Sequence, residues 1–225
     1  VVAPQGNTGL VYDGSEKQLL KTEGSITSGG SLVYAVTTSD SAPEAAAFAE
    51  QAPSATAAGT YHVWFKAAGD NYVSNVPAKI TVAVSQATAQ ITKEPVAKSG
   101  LVYSGADQEL ITAAESSVGA VSYAVTAADV TEAPTSGYSE TIPTAKNAGS
   151  YKIWYRVADT DSIIGTQTAA VEVTVAPLAL KQSDVNVAKN GDYTGQPHAP
   201  EVAVTAGSLT LVKDRDYTAS WTEDM

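Results

Sequence analysis

The hexapeptide Gly9-Leu10-Val11-Tyr12-Asp13-Gly14 returns 91 residues later as Gly100-Leu101-Val102-Tyr103-Ser104-Gly105. It is not alone. Tyr34-Ala35-Val36-Thr37 returns as Tyr123-Ala124-Val125-Thr126, Ala58-Gly59-Thr60-Tyr61 as Ala148-Gly149-Ser150-Tyr151, and Trp64 as Trp154, in the same order and at displacements of 89 or 90. Self-similarity at a fixed period marks a chain built from repeated units, each folding around its own core. A third copy begins with Tyr193-Thr194-Gly195 and reaches Asp216-Tyr217-Thr218, the counterpart of the Tyr34 and Tyr123 segments. Its Gly-Tyr and Trp segments do not follow. The expected organisation is therefore two whole modules, 1–86 and 87–177, and the front of a third, 178–225, with junctions just after Ile80-Thr81-Val82-Ala83-Val84 and Val171-Glu172-Val173-Thr174-Val175. Linkers of a few residues imply modules set end to end.

Within a module the apolar period is two, as in half-buried strands. Ile80, Val82 and Val84 share one face, as do Val171, Val173 and Val175. Leu32, Tyr34 and Val36, with their counterparts Val121, Tyr123 and Val125, predict a middle strand. Six or seven short strands in about 88 residues predict an antiparallel sandwich. The segment 43–51 has helix propensity, but its counterpart Pro134–Glu140 has none. Both are read as a loop or short edge strand, with a single helical turn open in the first module, and Phe48 and Tyr138 are expected to plug the sandwich core from it.

Composition narrows the role. Of 225 residues 44% are apolar, yet 38 are Ala, so Val, Ile, Leu, eleven Tyr and three Trp must fill the interior. Acidic residues outnumber basic ones 24 to 13, a net charge of −11 that repels nucleic acid and anionic membranes. No window approaches the ~18 apolar residues of a membrane helix, and no signal sequence opens the chain. The start at Val1 suggests an internal piece of something longer. With no cysteine and only His62 and His198, disulfides, thiolate chemistry and His-based metal sites lack material. The expectation is a non-enzyme without cofactor or metal. There is no Asn-x-Ser/Thr sequon, which suits a bacterial exported protein.

The Ala-Gly-x-Tyr segments sharpen the class. In immunoglobulin-like sandwiches a Tyr at the start of strand F turns its hydroxyl back to the preceding corner, and the residue two positions later faces the core. Here that residue is Val63 or Ile153, aliphatic as a disulfide-free version requires. The order Gly-Leu-Val-Tyr-x-Gly, Tyr-Ala-Val, Ile142-Pro143-Thr144-Ala145 and Ala148-Gly149-Ser150-Tyr151-Lys152-Ile153-Trp154-Tyr155 resembles the tandem immunoglobulin-like repeats of surface proteins from Gram-positive bacteria, especially clostridia. The third unit, with Tyr193-Thr194-Gly195-Gln196-Pro197 and Pro200-Glu201-Val202, resembles a related surface-repeat type. The resemblance implies an all-β fold of tandem sandwiches and a cell-surface stalk or adhesin. Its implied contacts are host or cell-wall glycans or proteins, with no nucleic acid, no membrane insertion and a monomeric state beside neighbouring repeats. The alternative is a non-catalytic carbohydrate-binding accessory region of a secreted polysaccharide-degrading enzyme.

Candidate binding residues come from strand F. If Tyr61, Val63 and Phe65 face the core, then His62, Trp64 and Lys66 occupy the face that should be wet, as do Lys152, Trp154 and Arg156 in the second module. Trp64, Lys66, Trp154 and Arg156 are thus the ligand-binding candidates, since an indole plane suits stacking on sugars or cations. The competing reading is that basic stems and a neighbouring strand or loop cover each ring. Asp70, Asn71, Asp159 and Asp161 lie in the loops after strand F, where oxygen ligands could hold calcium, although a solvated loop is the simpler reading. The third unit, without its own strand F, is expected to leave Val202, Val204, Leu211 and Tyr217 dependent on a neighbouring module, another copy or further chain for cover.

Overall fold

The structure is a computed structural model that describes residues 1–26, 29–69, 77–188 and 201–220. Its described elements are strands, joined by two single-turn 3-10 segments, Ala45–Ala47 and Gln182–Asp184. The chain is all-β.

The period-two runs become the long strands. Ser31–Thr37, Gly59–Ala68 and Ala78–Ser85 lie side by side and antiparallel, and Leu10–Val11 joins the far edge parallel to Ala78–Ser85. A second set of short antiparallel pairs, Gln5–Gly6 with Leu20–Thr22 and Lys17–Gln18 with Ser54–Ala55, supplies the other layer. One core is drawn from both. Leu20 comes from the short pairs and Leu19 from the bend between their strands, and Leu32, Tyr34, Val63, Phe65, Val82 and Val84 from the long sheet. Alternation along each strand turns these side chains inward, and each buried aliphatic contributes roughly 1.5–3 kcal/mol.

The same order recurs in the second unit. Val121–Ala127, Gly149–Val157 and Ala169–Val175 form its sheet, with Val102 bridged in parallel to Ala176. Gln108–Glu109 with Thr144–Ala145 and Ile91–Lys93 with Glu115–Ser116 form the short pairs. Leu110, Ile111, Ile153, Tyr155, Val173 and Val175 belong to a second, separate core. Val63 and Ile153, the residues two positions after the Ala-Gly-x-Tyr tyrosines, are both 0% exposed.

The segment between the middle and central strands is an edge in both units. Ala49 exchanges two backbone hydrogen bonds with Tyr34, and Ser139 two with Tyr123, all between 2.7 and 2.9 Å. In the first unit a 3-10 turn over Ala45–Ala47 precedes it. Phe48 and Tyr138 do not plug the cores. Because Ala49 and Ser139 pair with residues whose rings point inward, the preceding side chain must point to the opposite face. Both aromatics lie half-buried on the outer side of the sheet.

The described part of the third unit is a meander of Val185–Val187, Val202–Ala206 and Leu209–Leu211. Val204, flanked by Val185 and Leu211 in the ladder, is 2% exposed, and Leu211 is 7% exposed. Leu211 lies beside Tyr103 and Ala148 of the second unit, a neighbouring module of the kind the sequence left these residues to depend on. Tyr217 returns its hydroxyl to the Val202 carbonyl at 2.7 Å, which fastens the turn after the last strand to the sheet.

Candidate functional site

The four candidate residues sit on the outer face of the two long sheets, one pair per unit, and that face is not wet. Trp64 is 7% and Trp154 8% exposed. The register explains why. Trp64 lies between Ala35 and Lys79, and Trp154 between Ala124 and Ala170. The alanine paired with each indole, Ala35 or Ala124, leaves room beside it. Each ring N–H is then satisfied, Trp64 Nε1 donating to Thr37 Oγ1 and Trp154 Nε1 to Thr126 Oγ1, both at 2.9 Å. A buried indole needs such a partner. These threonines close the repeated Tyr-Ala-Val-Thr motif, so the signal was present in the sequence.

Cations cover the rings rather than waiting beside them. Lys79 Nζ stands 5.2 Å from the Trp64 ring centre and Lys152 Nζ 5.6 Å from that of Trp154. Lys66 Nζ lies 4.4 Å above Phe48, and the Arg156 guanidinium 4.0 Å above Tyr138. Each outer face is thus a row of alternating aromatic and basic groups, at cation–π distances. Lys79 is also ion-paired with Asp40, and Lys152 donates to the Val130 carbonyl at 2.8 Å. Strand-face reasoning found the row's middle and missed its ends, Phe48 and Tyr138, which arrive from the edge segment.

The Ala-Gly-x-Tyr corner has the geometry its sequence predicts. Tyr61 donates to the Ala57 carbonyl and Tyr151 to the Asn147 carbonyl, both at 2.8 Å. Of the acidic loops, Asp70 and Asn71 lie outside the described residues. Asp159 accepts from the Gly165 amide at 2.9 Å, fastening its own loop, while Asp161 contributes its carbonyl to Gln86. His62 Nδ1 is 3.3 Å from Thr81 Oγ1, and His198 is not among the described residues. Among the described residues no three His, Asp or Glu side chains converge.

The most elaborated arrangement lies between the units. Tyr12, from the first repeat motif, packs partly buried against the core of the second unit. Within the second unit Ala87–Thr88 pairs in parallel with Ile163–Ile164, and the segment just before that pair reaches back to the first unit. Ser162 Oγ accepts from the Ala58 amide at 2.9 Å, and Gln86 Nε2 donates to the carbonyls of Thr160 and Asp161 at 3.2 and 3.3 Å.

The second junction uses the corresponding tyrosine. Tyr103 donates to Asp216 Oδ1 at 3.1 Å. Asp216 also accepts from the Val212 amide at 2.8 Å and from two nitrogens of Arg215 at 3.0 and 2.8 Å. Arg215 first, then the Val212 amide, holds the Asp216 carboxyl well below the usual carboxylate range. Close by, Leu209 approaches Gly105 so tightly that a Cβ there would stand 2.6 Å from Leu209 Cδ1, and the backbone at Gly105 has φ +73°. The left-handed backbone favours glycine at this motif position, as it does at Gly14 in the first unit, while the end of the Leu209 side chain could move aside. No protein-family model matches the chain, and no curated protein matches it.

Proposed function

We propose that the chain is a tandem array of immunoglobulin-like sandwich modules, 1–86 and 87–177 with 178–225 belonging to a third. Its role is that of an extracellular structural or adhesive segment of a bacterial cell-surface protein. The observation that carries this reading is the junction. The same motif tyrosine, Tyr12 or Tyr103, is presented by each unit to the one that follows it. Residues placed at a repeating interface serve spacing and orientation along an array, which is what a stalk requires. The parallel edge strand beside the last strand, the tyrosine corner and the aliphatic residue two positions later support the immunoglobulin-like assignment. The reading is of a non-catalytic segment, with glycans or proteins of a host or cell wall as the partners.

The outer-face tryptophans enter this proposal as covers of the sheets. Trp64→Ala and Trp154→Ala are expected to lower the melting temperature of their own unit, whereas glycan binding lost with unchanged melting would favour the carbohydrate-binding alternative. Shape tests the array itself. A single compact domain of this length has a radius of gyration of about 17 Å. Small-angle scattering is expected to give a clearly larger value, and one near 17 Å would overturn the tandem arrangement.

A further inference from the structure

The edge segment and the cation above it differ between the two units. In the first, Lys66 lies over Phe48, and the Glu50 carboxylate accepts from Ser31 Oγ at 2.8 Å. In the second, Tyr138 adds a hydroxyl to the ring, and the guanidinium of Arg156 replaces the ammonium, 4.0 Å above it. Among the described residues, Tyr138 Oη and Arg156 Nε are the two buried side-chain polar atoms with no hydrogen-bond partner. None of the described carboxylates pairs with Arg156, whereas Lys152 in the same row pairs with Glu172 at 3.5 Å. A guanidinium only donates and a phenol donates readily, so what the two lack is an acceptor, and the charge favours an anionic one. The backbone beside them is open as well. Ser139 exchanges its two hydrogen bonds with Tyr123, so in an antiparallel pair the N–H and C=O groups of Tyr138 and Glu140 point the other way, off the edge of the sheet. Among the described residues no group accepts from those two amides.

We propose that this edge of the second unit binds an extended acidic peptide by strand addition. The peptide lies antiparallel to residues 138–140 and exchanges main-chain hydrogen bonds with Tyr138 and Glu140. The acidic residue that it sets across from Tyr138 delivers its carboxylate to the Arg156 guanidinium and the Tyr138 phenol. Residues directly opposed on neighbouring strands share a face and touch, and Tyr138 points to the outer face where Arg156 stands. Main-chain pairing supplies the affinity of such a complex, and the side-chain site sets the choice. The fork of a guanidinium takes both oxygens of a carboxylate, which a neutral amide cannot imitate. Both donors are shielded from solvent in the free chain, so the guanidinium turns outward from the ring as the acceptor arrives, and the cost of burying them unpaired is recovered. An acidic sugar carries the same carboxylate but leaves the edge amides unpaired, which favours peptide. The first unit has the same edge with a ring that lacks a hydroxyl and a cation that lacks a fork, and there the pair serves only as cover.

The test uses the whole chain and the capped peptide Val-Thr-Glu-Thr-Val. Titration followed by amide NMR and hydrogen exchange is expected to saturate, with new protection at Tyr138 and Glu140 and none at Phe48 or Glu50. Exchanging the peptide's Glu for Gln, which leaves the protein untouched, is expected to weaken binding by about tenfold or more, the worth of one hydrogen bond to a charged group. Arg156→Lys and Tyr138→Phe, which give the site the groups of the first unit, are each expected to weaken the Glu peptide while the Gln peptide and the melting temperature change little. N-methylation of the peptide at its Glu and at the residue two before it is expected to abolish binding. The proposal is overturned if binding does not saturate in the millimolar range, if the Gln or the N-methylated peptide binds as tightly as the parent, or if protection appears elsewhere. It is equally overturned if trigalacturonate saturates the site at lower concentration than the peptide, because the partner would then be an acidic polysaccharide.

Discussion

The two junctions begin from one motif and end in different chemistry. At the first, Tyr12 is a hydrophobic plug against the next core, and Ala58 and Gln86 hydrogen-bond to the segment 160–162 of the second unit. At the second, Tyr103 is a hydrogen-bond donor to a carboxylate that Arg215 also grips, and a cavity remains beside it. A repeated residue therefore fixes where units meet, while the following unit decides what the contact is. The packing of Tyr12 gives the first seam its apolar contact, whereas the turn 212–217 makes the second polar. The first unit should then be coupled to the second more tightly than the second to the third.

The largest effect that can test this lies in the second core. Ile153 is fully buried, and Ile153→Ala is expected to cost roughly 2–5 kcal/mol of second-unit stability through lost burial and a residual cavity. If the first junction couples as described, calorimetry of the variant shows the first unit's transition moving down with the second's. An unchanged first transition would break the comparison. Next comes Tyr12→Ala, which removes a half-buried ring from the second core. About 1–2 kcal/mol of second-unit stability is expected to be lost, with the first unit's own melting little changed. The reverse pattern would place the ring in its own unit's energetics.

A smaller difference is set by pH. Tyr155 stands where the first unit has Phe65, and burial, with a hydrogen bond to Glu94, pushes its phenol up to about 12. A phenol ionises near 10 when unfolded, so the folded state prefers the neutral form. Stability from this group is complete below pH 10 and declines as pH rises toward 12. Melting of the second unit between pH 9 and 12 is expected to fall, and Tyr155→Phe to flatten that fall. Burial also raises Tyr34 in the first unit, so the diagnostic is the response to Tyr155→Phe rather than the bare alkaline slope.

The smallest effect separates the seams in acid. The Asp216 carboxyl titrates below the usual range, so its contribution is present at neutral pH and lost only as pH falls through that lowered value. Hydrogen exchange at 212–217 is expected to rise only well below pH 4, while the apolar contact of Tyr12 shows no corresponding acid step. Loss of protection at 212–217 near pH 5 would mean that the Arg215 and Val212 contacts do not hold the carboxylate.

The frame of the fold is legible in the sequence because each landmark has a local mechanism. Period two gives the strands, and a tyrosine four residues after a carbonyl finds its corner. The aliphatic residue two further on is buried. The sequence left open whether the outer tryptophans are exposed or covered, because strand alternation says only which side of a sheet a residue occupies, not what lies over that side. Trp64 is covered by way of Ala35, Thr37 and Lys79, which come from two other strands. The alanine paired with each indole, Ala35 or Ala124, and the threonine that takes its N–H become visible only once register is known. The junctions were harder still. Tyr12 and Tyr103 repeat like any structural residue, and nothing within one unit shows that the ring belongs energetically to the next.

The parallel edge pair has a mechanical meaning. Leu10–Val11 and Val84–Ser85 run in the same direction, joined further by the Tyr12 amide to the Ser85 carbonyl at 3.0 Å, and the second unit repeats this with Tyr103 and Ala176 at 2.8 Å. Tension applied along the chain draws the entering strand backward and the leaving strand forward, so the hydrogen bonds between them are loaded lengthwise and share the force. They must yield together instead of peeling one after another. A unit tied in this way would resist stretching through its covalent ends in a manner its equilibrium stability does not report, and the proposed array of such units would give way one at a time, releasing length in steps of one module.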